Sequence, residues 1–209
     1  MEISSPSPGL RERKKRKTRE TIIKVALELF VERGYEETTI AEIADAAEIS
    51  PRTIFAYFPT KADILFYDQP EMQQRLAQVF RDRPEGATAL DALRDFIAGT
   101  LSPASEEEHN VALRRRTVIA ANETLRRNQR ARLAPFEQLM AEAIAKDLRA
   151  GPDDIRPRMI AAALATALSA IRDHDRVTSP ELASPEQVMA VIDDVMGFLR
   201  GGLEALGHD

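Results

Sequence analysis

The stretch SPRTIFAYF, residues 50–58, decides how this chain folds. Ser50 is a typical helix cap, Pro51 suits the first helical position, and Pro59 closes the segment two turns later. An isolated helix shorter than about 12–15 residues is marginal in water. Three of the nine residues are aromatic, although aromatics make up only 5% of the chain. We therefore expect a short helix that is stabilised by packing on its neighbours.

Helix start and stop signals continue on both sides of this segment. They predict a helix over about 12–33 that ends before Gly34, a second over about 39–46 behind the capping pair Thr39 and Glu42, and a fourth that opens at Thr60. A turn of three or four residues, AEIS, separates the second helix from residues 51–58. Two short helices joined by a tight turn and stacked on a first helix make a helix-turn-helix.

The faces of the third helix follow from a rotation of 100° per residue. Ile54 and Phe58, four residues apart, share the face that can pack on the second helix. The opposite face carries Arg52 and Ala56, and Thr53 and Phe55 lie on its flanks. This face is narrow enough to enter the major groove of DNA.

The side chains on and around this face suit contacts with nucleic acid. An arginine can donate two hydrogen bonds to a guanine edge, and methyl or aromatic groups can meet thymine methyls. We expect base contacts from Arg52, Thr53, Phe55 and Ala56. Hydroxyl and ammonium groups suit phosphate oxygens, and we expect phosphate contacts from Thr38, Thr39, Ser50, Tyr57, Lys61, Arg16 and Lys17. Removing Lys61 is then expected to weaken binding to all DNA sequences alike.

The charge distribution supports a single nucleic-acid face. The net charge is −5, but residues 11–19 carry seven basic residues and one acidic residue. Residues 10–65 hold 11 Lys and Arg against 10 Asp and Glu, about +1, which leaves about −6 for the remainder. A basic end on an acidic body is typical of a chain that presents one region to a polyanion.

The segment TRETIIKVALELFVERGYEETTIAEIADAAEISPRTIFAYFPTKADIL, residues 18–65, resembles the DNA-binding domain of TetR-family transcriptional regulators. The resemblance rests on Gly34–Tyr35 after the first helix, on the TTIAEIA block and on the TIFAYFPTK run. It implies that the family's DNA-contacting positions fall on Arg52, Thr53, Phe55, Tyr57 and Lys61. Glu48 departs from the pattern, because many members have glycine there, and a positive φ at Glu48 would be unfavourable.

The rest of the chain is helical in pattern, so we predict an all-α protein. Residues 1–9 are expected to form a disordered tail, residues 10–58 the helix-turn-helix domain, and residues 59–209 a second domain with helices at about 87–101, 106–121, 123–149, 154–175 and 185–206. The stretch IAAALATALSAI, residues 160–171, is apolar nearly all round and must be covered on all sides.

The resemblance implies the roles of this second domain. The last two helices would form a homodimer that reads a palindromic operator, and the body would enclose a pocket for a small-molecule effector whose binding releases the DNA. An apolar or amphipathic effector and a repressor function are expected. Residue type and approximate helix face indicate a lining of Phe96, Thr100, Thr117, Asn122, Phe136 and Met140.

Several other classes of protein are disfavoured. The chain has no cysteine, and its three histidines are scattered, so no metal site or cofactor is expected. The sequence lacks a nucleophile elbow, a phosphate-binding glycine loop and a zinc-protease helix, so we do not expect an enzyme. It also lacks a long apolar run, which predicts no membrane span, and the absence of cysteine suits a reducing cytoplasm, where we expect the protein to be located.

Two alternatives from other classes remain open. An architectural DNA-binding protein would use the same helix-turn-helix but would show little sequence preference. A helical interaction module would use its basic segment on an acidic protein or a membrane, and Arg52 and Thr53 would then not matter. Salt-dependent binding to one palindrome, abolished by a small molecule, would separate these readings.

Overall fold

The computed structural model describes residues 9–101, 105–178 and 185–206, and within these ranges it contains helices and no strand. The all-α prediction is therefore confirmed. The helices are α1 (Leu10–Arg33), α2 (Ile40–Ala46), α3 (Pro51–Tyr57), α4 (Lys61–Leu65), α5 (Gln69–Asp82), α6 (Ala89–Leu101), α7 (Glu106–Ala121), α8 (Glu123–Ala131), α9 (Ala134–Asp147), α10 (Arg156–Thr178) and α11 (Pro185–Leu206). The tail predicted for residues 1–9 lies outside the described residues except for Gly9.

The helices divide into two compact units. The head unit comprises the described residues up to 67 together with residues 109–122, which belong mostly to α7. In it α1 packs against α2 and α4, and α2 packs against α3. Its apolar core draws on every one of these helices, and its buried residues include Ile22, Leu27, Phe30, Ile43, Ile54, Phe58, Ile64, Leu65, Val118 and Ile119.

Local sequence signals set the ends of the head-unit helices. The Thr39 hydroxyl accepts a hydrogen bond from the Glu42 N–H, and the Glu42 carboxylate accepts from the Thr39 N–H, which completes the predicted capping box. Ser50 caps α3 by accepting from the Thr53 N–H at 3.1 Å. Thr60 opens α4 with a second capping box. Glu48 has a φ of +54° and ends α2 with the Ile49 N–H bonded to the Ala44 carbonyl, so the positive φ considered from the sequence is present.

The head unit extends past the boundary at residue 58 that the sequence suggests. Ile64 and Leu65 are fully buried and Phe66 is 5% exposed. They lie in or just after α4, which packs against α1. Burial of this much apolar surface explains why α4 belongs to the head unit. The C-terminal part of α7 also belongs to the head unit, although it is separated from α4 by about 40 residues of chain.

The body unit contains α5, α6, α8 to α11 and the first residues of α7. α6 packs against α5, α9 and α11, and α10 packs against α9 and α11. The core includes Leu76, Leu90, Leu93, Met140, Ile144, Leu164, Ile192 and Met196. Polar contacts join the same helices, since Arg94 of α6 donates to Asp193 of α11 at 2.6 and 2.8 Å. In a second ion pair the arginine lies on the other helix, since Arg200 of α11 donates to Asp91 of α6.

Two prolines start helices that the sequence pattern did not delimit. The region 123–149 was expected to form one helix, but it forms α8 and α9, with Pro135 in the first turn of α9. Pro70 likewise lies in the first turn of α5, a helix that the breaker pattern did not delimit. A proline inside a helix removes a hydrogen bond and clashes with the preceding turn, so each one favours a new helix start.

Candidate DNA-binding site

The third helix presents the face that the helical rotation predicts. Ile54 is fully buried and Phe58 is 2% exposed, so this side of α3 faces the core of the head unit. Arg52 and Ala56 are exposed on the other side, and Phe55 is 52% exposed. An exposed arginine in the first turn of α3 and an exposed phenylalanine three residues later leave a narrow surface of mixed chemistry for an external partner.

The hydroxyl groups at the start of α3 are linked to each other. Ser50 Oγ and Thr53 Oγ1 lie 2.8 Å apart, and Ser50 Oγ also accepts from the Thr53 backbone N–H. Both residues retain access to solvent, Ser50 as an exposed and Thr53 as a half-buried residue. A hydroxyl has one donor and two acceptor positions, so this pair keeps capacity for a further hydrogen bond to a base or phosphate.

The basic run at the start of α1 lies on the surface. Residues 11–17 are exposed throughout, including Arg16 and Lys17. Arg16 lies 3.6 Å from Glu20 one turn later, and both side chains are about two-thirds exposed. Such an exposed ion pair contributes little free energy, so the cationic side chains of this run can turn towards a polyanion.

Tyr57 is half-buried at the end of α3, and its ring centroid lies 6.5 Å from that of Phe58.

Thr38 is not placed for the phosphate contact expected of it. Its side chain is fully buried, and its hydroxyl donates to the carbonyls of Gly34 at 2.8 Å and Leu29 at 3.3 Å. The structure contradicts the expected contact, because a buried hydroxyl between two carbonyls cannot reach an external phosphate. Thr38 instead closes the end of α1.

Thr39 is exposed, but its hydroxyl is used in the capping box. It donates to the Glu42 carboxylate at 2.8 Å and accepts from the Glu42 N–H. The backbone N–H of Thr39, followed by its hydroxyl, holds the pKa of Glu42 below its ordinary value. Glu42 therefore stays ionised, and its charge lies beside any phosphate that Thr39 would contact.

Lys61 is held by the loop between α1 and α2. Its Nζ donates to the carbonyls of Tyr35 at 2.7 Å and Thr38 at 2.8 Å, and the Glu36 carbonyl lies 3.4 Å away. The same Nζ lies 4.3 Å from the centroid of the Tyr35 ring. In this structure the ammonium faces the protein, whereas the sequence suggested a cation directed at phosphate.

The six residues suggested as a ligand pocket lie in different units. Thr117 and Asn122 belong to the head unit, where the Thr117 hydroxyl donates to Leu113 and the Asn122 amide donates to Glu36 at 2.8 Å. In the body unit Met140 is 5% exposed, and Phe96 and Phe136 pack half-buried against the core. Thr100 is exposed and donates to the Ile97 carbonyl. Neither unit therefore contains the whole set.

Sequence reasoning missed the residues that hold the loop after α1. Tyr35 supplies a carbonyl and a ring to Lys61, and Glu36 accepts from Asn122. These partners are 26 and 86 residues apart in the chain. The hydrogen-bond acceptors of Lys61 are backbone carbonyls, which leave no trace in side-chain identity, and the Glu36–Asn122 pair joins segments that are far apart in the chain, so no local sequence signal indicates either contact.

Comparison with known proteins decides the family. Residues 22–67 match the model of bacterial regulatory proteins of the tetR family, and residues 87–204 match the MftR C-terminal domain model. The regulator TcmR of Streptomyces glaucescens is 35% identical over 76% of this chain and 74% of its own length. The chain belongs to the TetR family of transcriptional regulators. In this TetR-family protein the exposed face of α3 is thus part of a matched DNA-binding domain.

Solved structures of similar fold cover most of this TetR-family chain. The SmeT–triclosan complex superposes with a TM-score of 0.63 at 20% identity, covering 87% of this chain and 91% of SmeT. FadR of Thermus thermophilus in complex with lauroyl-CoA gives a TM-score of 0.56 at 24% identity over 87% and 92% of the two chains.

Among the described residues, no helix is both long and apolar enough to span a membrane.

Proposed function

We propose that this chain is a ligand-responsive transcriptional repressor that binds a palindromic DNA operator as a homodimer in the cytoplasm. The observation that carries the proposal is the orientation of α3. Its apolar residues Ile54 and Phe58 are buried, while Arg52, Phe55 and Ala56 remain exposed in a segment matched by the tetR family model.

The DNA contacts divide into two groups under this proposal. Arg52, Thr53, Phe55 and Ala56 read bases in the major groove, with Arg52 as the donor to a guanine edge. Thr39, Ser50, Tyr57, Arg16 and Lys17 contact the backbone and set the register. Binding is then expected to depend on salt, because phosphate neutralisation releases counterions.

The exposed apolar surface of α10 and α11 supports the homodimer. Phe198 is 81% exposed and Val191 45% exposed, and a spacing of seven residues places both on one face of α11. On α10, Met159 is 61% exposed, and Ala162, Ala163, Thr166 and Ala170 are also exposed. A helix that is apolar nearly all round needs a cover that a single chain leaves incomplete, and a second copy would supply it.

The proposed effector is an apolar or amphipathic small molecule that binds in the body unit. Phe96 and Phe136 are half-buried there and pack against the core cluster that includes the buried Met140. The similar folds of SmeT with triclosan and of FadR with lauroyl-CoA make an aromatic drug and an acyl thioester the first probes to use. A ligand that binds the DNA-free form better would shift the protein away from its operator.

The proposal is tested by selecting bound sequences from a random DNA pool and measuring their affinity by fluorescence anisotropy. A palindromic sequence is expected to bind at least about 10³-fold more tightly than its scrambled version at physiological salt. Equal binding to both sequences would contradict the proposal and favour the architectural alternative. Lauroyl-CoA and triclosan are then added separately to the complex, and release by one of them would identify the effector class.

A further inference from the structure

We propose that Tyr67 is a positioning residue for DNA recognition, because its ring holds the Arg19 guanidinium beside Phe58 and thereby sets the direction of α3. This inference rests on the proposed DNA-binding function. Tyr67 lies in the turn between α4 and α5, at the end of the first segment of the head unit.

The Arg19 side chain joins α1 to the ends of α3 and α4. Its Nη2 donates a hydrogen bond to the Tyr67 carbonyl. Its Cζ lies 5.8 Å from the centroid of the Phe58 ring and 5.7 Å from that of the Tyr67 ring, and both distances are within cation–π range. Among the described residues no carboxylate pairs with this guanidinium. One carbonyl and two rings therefore fix its position.

A second guanidinium supports the Tyr67 ring from α7. The Cζ of Arg115 lies 5.3 Å from the centroid of this ring. Arg19, Tyr67 and Arg115 are all half-buried, and a cation–π contact is stronger where water is partly excluded than on an open surface. A neighbouring ion pair, Arg114 with Glu28 at 3.6 Å, joins the same two helices, α7 and α1. The ring is therefore held by cations from two elements that are far apart in the chain.

Phe58 connects this cluster to the DNA-reading helix. It is the C-cap of α3, it is 2% exposed, and its N–H donates to the Ile54 carbonyl at 2.9 Å. Its ring centroid lies 6.5 Å from that of Tyr57, the last residue of α3. With seven residues α3 is too short to be stable alone. Its direction is therefore set by the side chains around it, and Arg19 lies beside its C-terminal end.

Base recognition depends more strongly on the direction of α3 than attraction to phosphate does. A hydrogen bond from Arg52 or Thr53 to a base edge needs a donor–acceptor distance of about 2.7–3.2 Å and good alignment, so a small tilt of α3 breaks it. The attraction between cations and phosphates falls off slowly with distance and survives such a tilt. Loss of the Tyr67 ring should therefore lower affinity for the operator and leave affinity for scrambled DNA unchanged.

The test uses the full-length protein with Tyr67→Leu, which removes the ring, and Tyr67→Phe, which keeps the ring and removes the hydroxyl. Phe80→Leu, which removes a half-buried ring from the body unit, is the matched control. Affinities for the selected operator and for scrambled DNA are measured from 50 to 300 mM KCl, a range of about sixfold in salt. Circular dichroism at the same temperature checks that each variant is folded.

The expected result for Tyr67→Leu is a loss of about tenfold or more in the operator-to-scrambled ratio with an unchanged salt slope, whereas Tyr67→Phe and Phe80→Leu stay within about twofold of the wild type. An unchanged ratio for Tyr67→Leu would overturn the proposal in favour of a purely structural role. An equal loss for Tyr67→Phe would assign the effect to the hydroxyl and overturn it as well. A salt slope less negative by about 0.9 would overturn it in favour of a phosphate contact.

Arg115→Met tests the support from α7 and keeps the test decisive if Tyr67→Leu does not fold. Lys146→Met, at an exposed position of α9, is the control for the loss of one positive charge. Arg115→Met is expected to lower the operator-to-scrambled ratio by about threefold or more, because the Tyr67 ring loses one of the two cations that hold it. Lys146→Met should leave the ratio unchanged. Equal ratios for these two variants would contradict the proposal.

Hydrogen exchange in the absence of DNA separates this inference from the proposed function. The positioning role predicts that the Phe58 N–H, bonded to the Ile54 carbonyl, exchanges about tenfold faster in Tyr67→Leu than in the wild type. In Phe80→Leu it should exchange at the wild-type rate. A wild-type rate in Tyr67→Leu would overturn the inference whatever the DNA measurements give. A wild-type protein that binds operator and scrambled DNA equally would instead refute the proposed function.

Discussion

At the scale of the residue, α3 separates side chains that stabilise the protein from side chains that face outwards. Ile54 and Phe58 are buried and hold the helix to the head unit, whereas Arg52 and Ala56 are exposed. Their positions in a helix of seven residues follow from the rotation per residue alone. The outward residues are therefore open to substitution without loss of the core, which makes them suitable for functional tests.

Arg52→Ala is expected to weaken operator binding by about 1–3 kcal/mol and to relax the preference at one base pair. The reason is the loss of a paired hydrogen bond to a base edge, with no change in the core. Anisotropy titrations on the operator and on its single-base variants measure both effects. Arg81→Ala, at an exposed position of α5, removes the same charge and should leave binding unchanged. A uniform loss of affinity on every DNA would assign Arg52 to phosphate instead.

Glu48→Gly is expected to stabilise the protein by roughly 0.5–1 kcal/mol, because Glu48 occupies the left-handed region where glycine is unstrained. The expected gain in the free energy of unfolding is the backbone strain that glycine relieves, minus the cost of the larger conformational entropy that glycine gives to the unfolded chain. Urea unfolding monitored by circular dichroism measures it. Glu37→Gly, in the exposed loop before α2, is the control and should be neutral or slightly destabilising. A loss of stability for Glu48→Gly would contradict the assignment of strain.

At the scale of the element, helix ends follow local signals, and the contacts between helices are made by residues distant in sequence. Thr88 and Asp91 cap the start of α6 reciprocally. Asp147, at the end of α9, also accepts from the Ala89 N–H of α6 at 2.6 Å. The first cap is visible in the sequence, and the second exists only because α9 and α6 pack together.

The α6–α11 ion pairs predict a dependence of stability on pH. A hydrogen bond from Arg94 lowers the pKa of Asp193, and hydrogen bonds from Thr88, with the Arg200 charge, lower the pKa of Asp91. A carboxylate whose pKa is lower in the folded state stabilises the protein fully above the unfolded pKa, and this contribution is lost as pH falls through the folded pKa. We expect the melting temperature to decline progressively below about pH 4.

Asp193→Asn tests this prediction by removing one of the two titrating groups. The variant should melt at a lower temperature than the wild type at pH 7, and the difference should narrow as pH falls below about 4. Calorimetry across the pH series measures both. Asp153→Asn, at an exposed position before α10, is the control and should follow the wild type. A constant difference at every pH would show that the Asp193 charge does not contribute.

At the scale of the whole molecule, the two units expose different surfaces to binding partners. The head unit exposes the α3 face and the basic start of α1, and the body unit exposes apolar surface on α10 and α11. The proposed dimer would join two body units, which gives the two-fold symmetry that a palindromic operator requires.

Phe198→Glu is expected to convert the proposed dimer to a monomer, because it places a charge in an apolar interface. Loss of one central aromatic contact costs at least about 2 kcal/mol, or roughly 30-fold in the dissociation constant of the dimer. Sedimentation velocity over a range of concentrations measures this constant. Val31→Glu changes a residue of α1 that is 52% exposed and should leave the dimer intact. A Phe198→Glu variant that sediments like the wild type would place the interface elsewhere.

The sequence alone determined the helical class, the position of the helix-turn-helix, its caps and the two faces of α3. These features depend on interactions within about four residues and on the 3.6-residue period, which the order of residues contains. The sequence also indicated where the DNA-binding segment begins, since the basic run and the resemblance to the TetR family are contiguous.

The tertiary structure alone decided where the polar side chains of the head unit are used. It buried Thr38, directed the Lys61 ammonium at the carbonyls of the α1–α2 loop, and placed Thr117 and Asn122 in a different unit from Phe96 and Met140. Each of these outcomes depends on how the segments pack together, and the placements of Thr38 and Lys61 also depend on backbone carbonyls, which every residue carries whatever its side chain. Residue identity fixes what a side chain can bond to, and packing fixes which of those partners it meets.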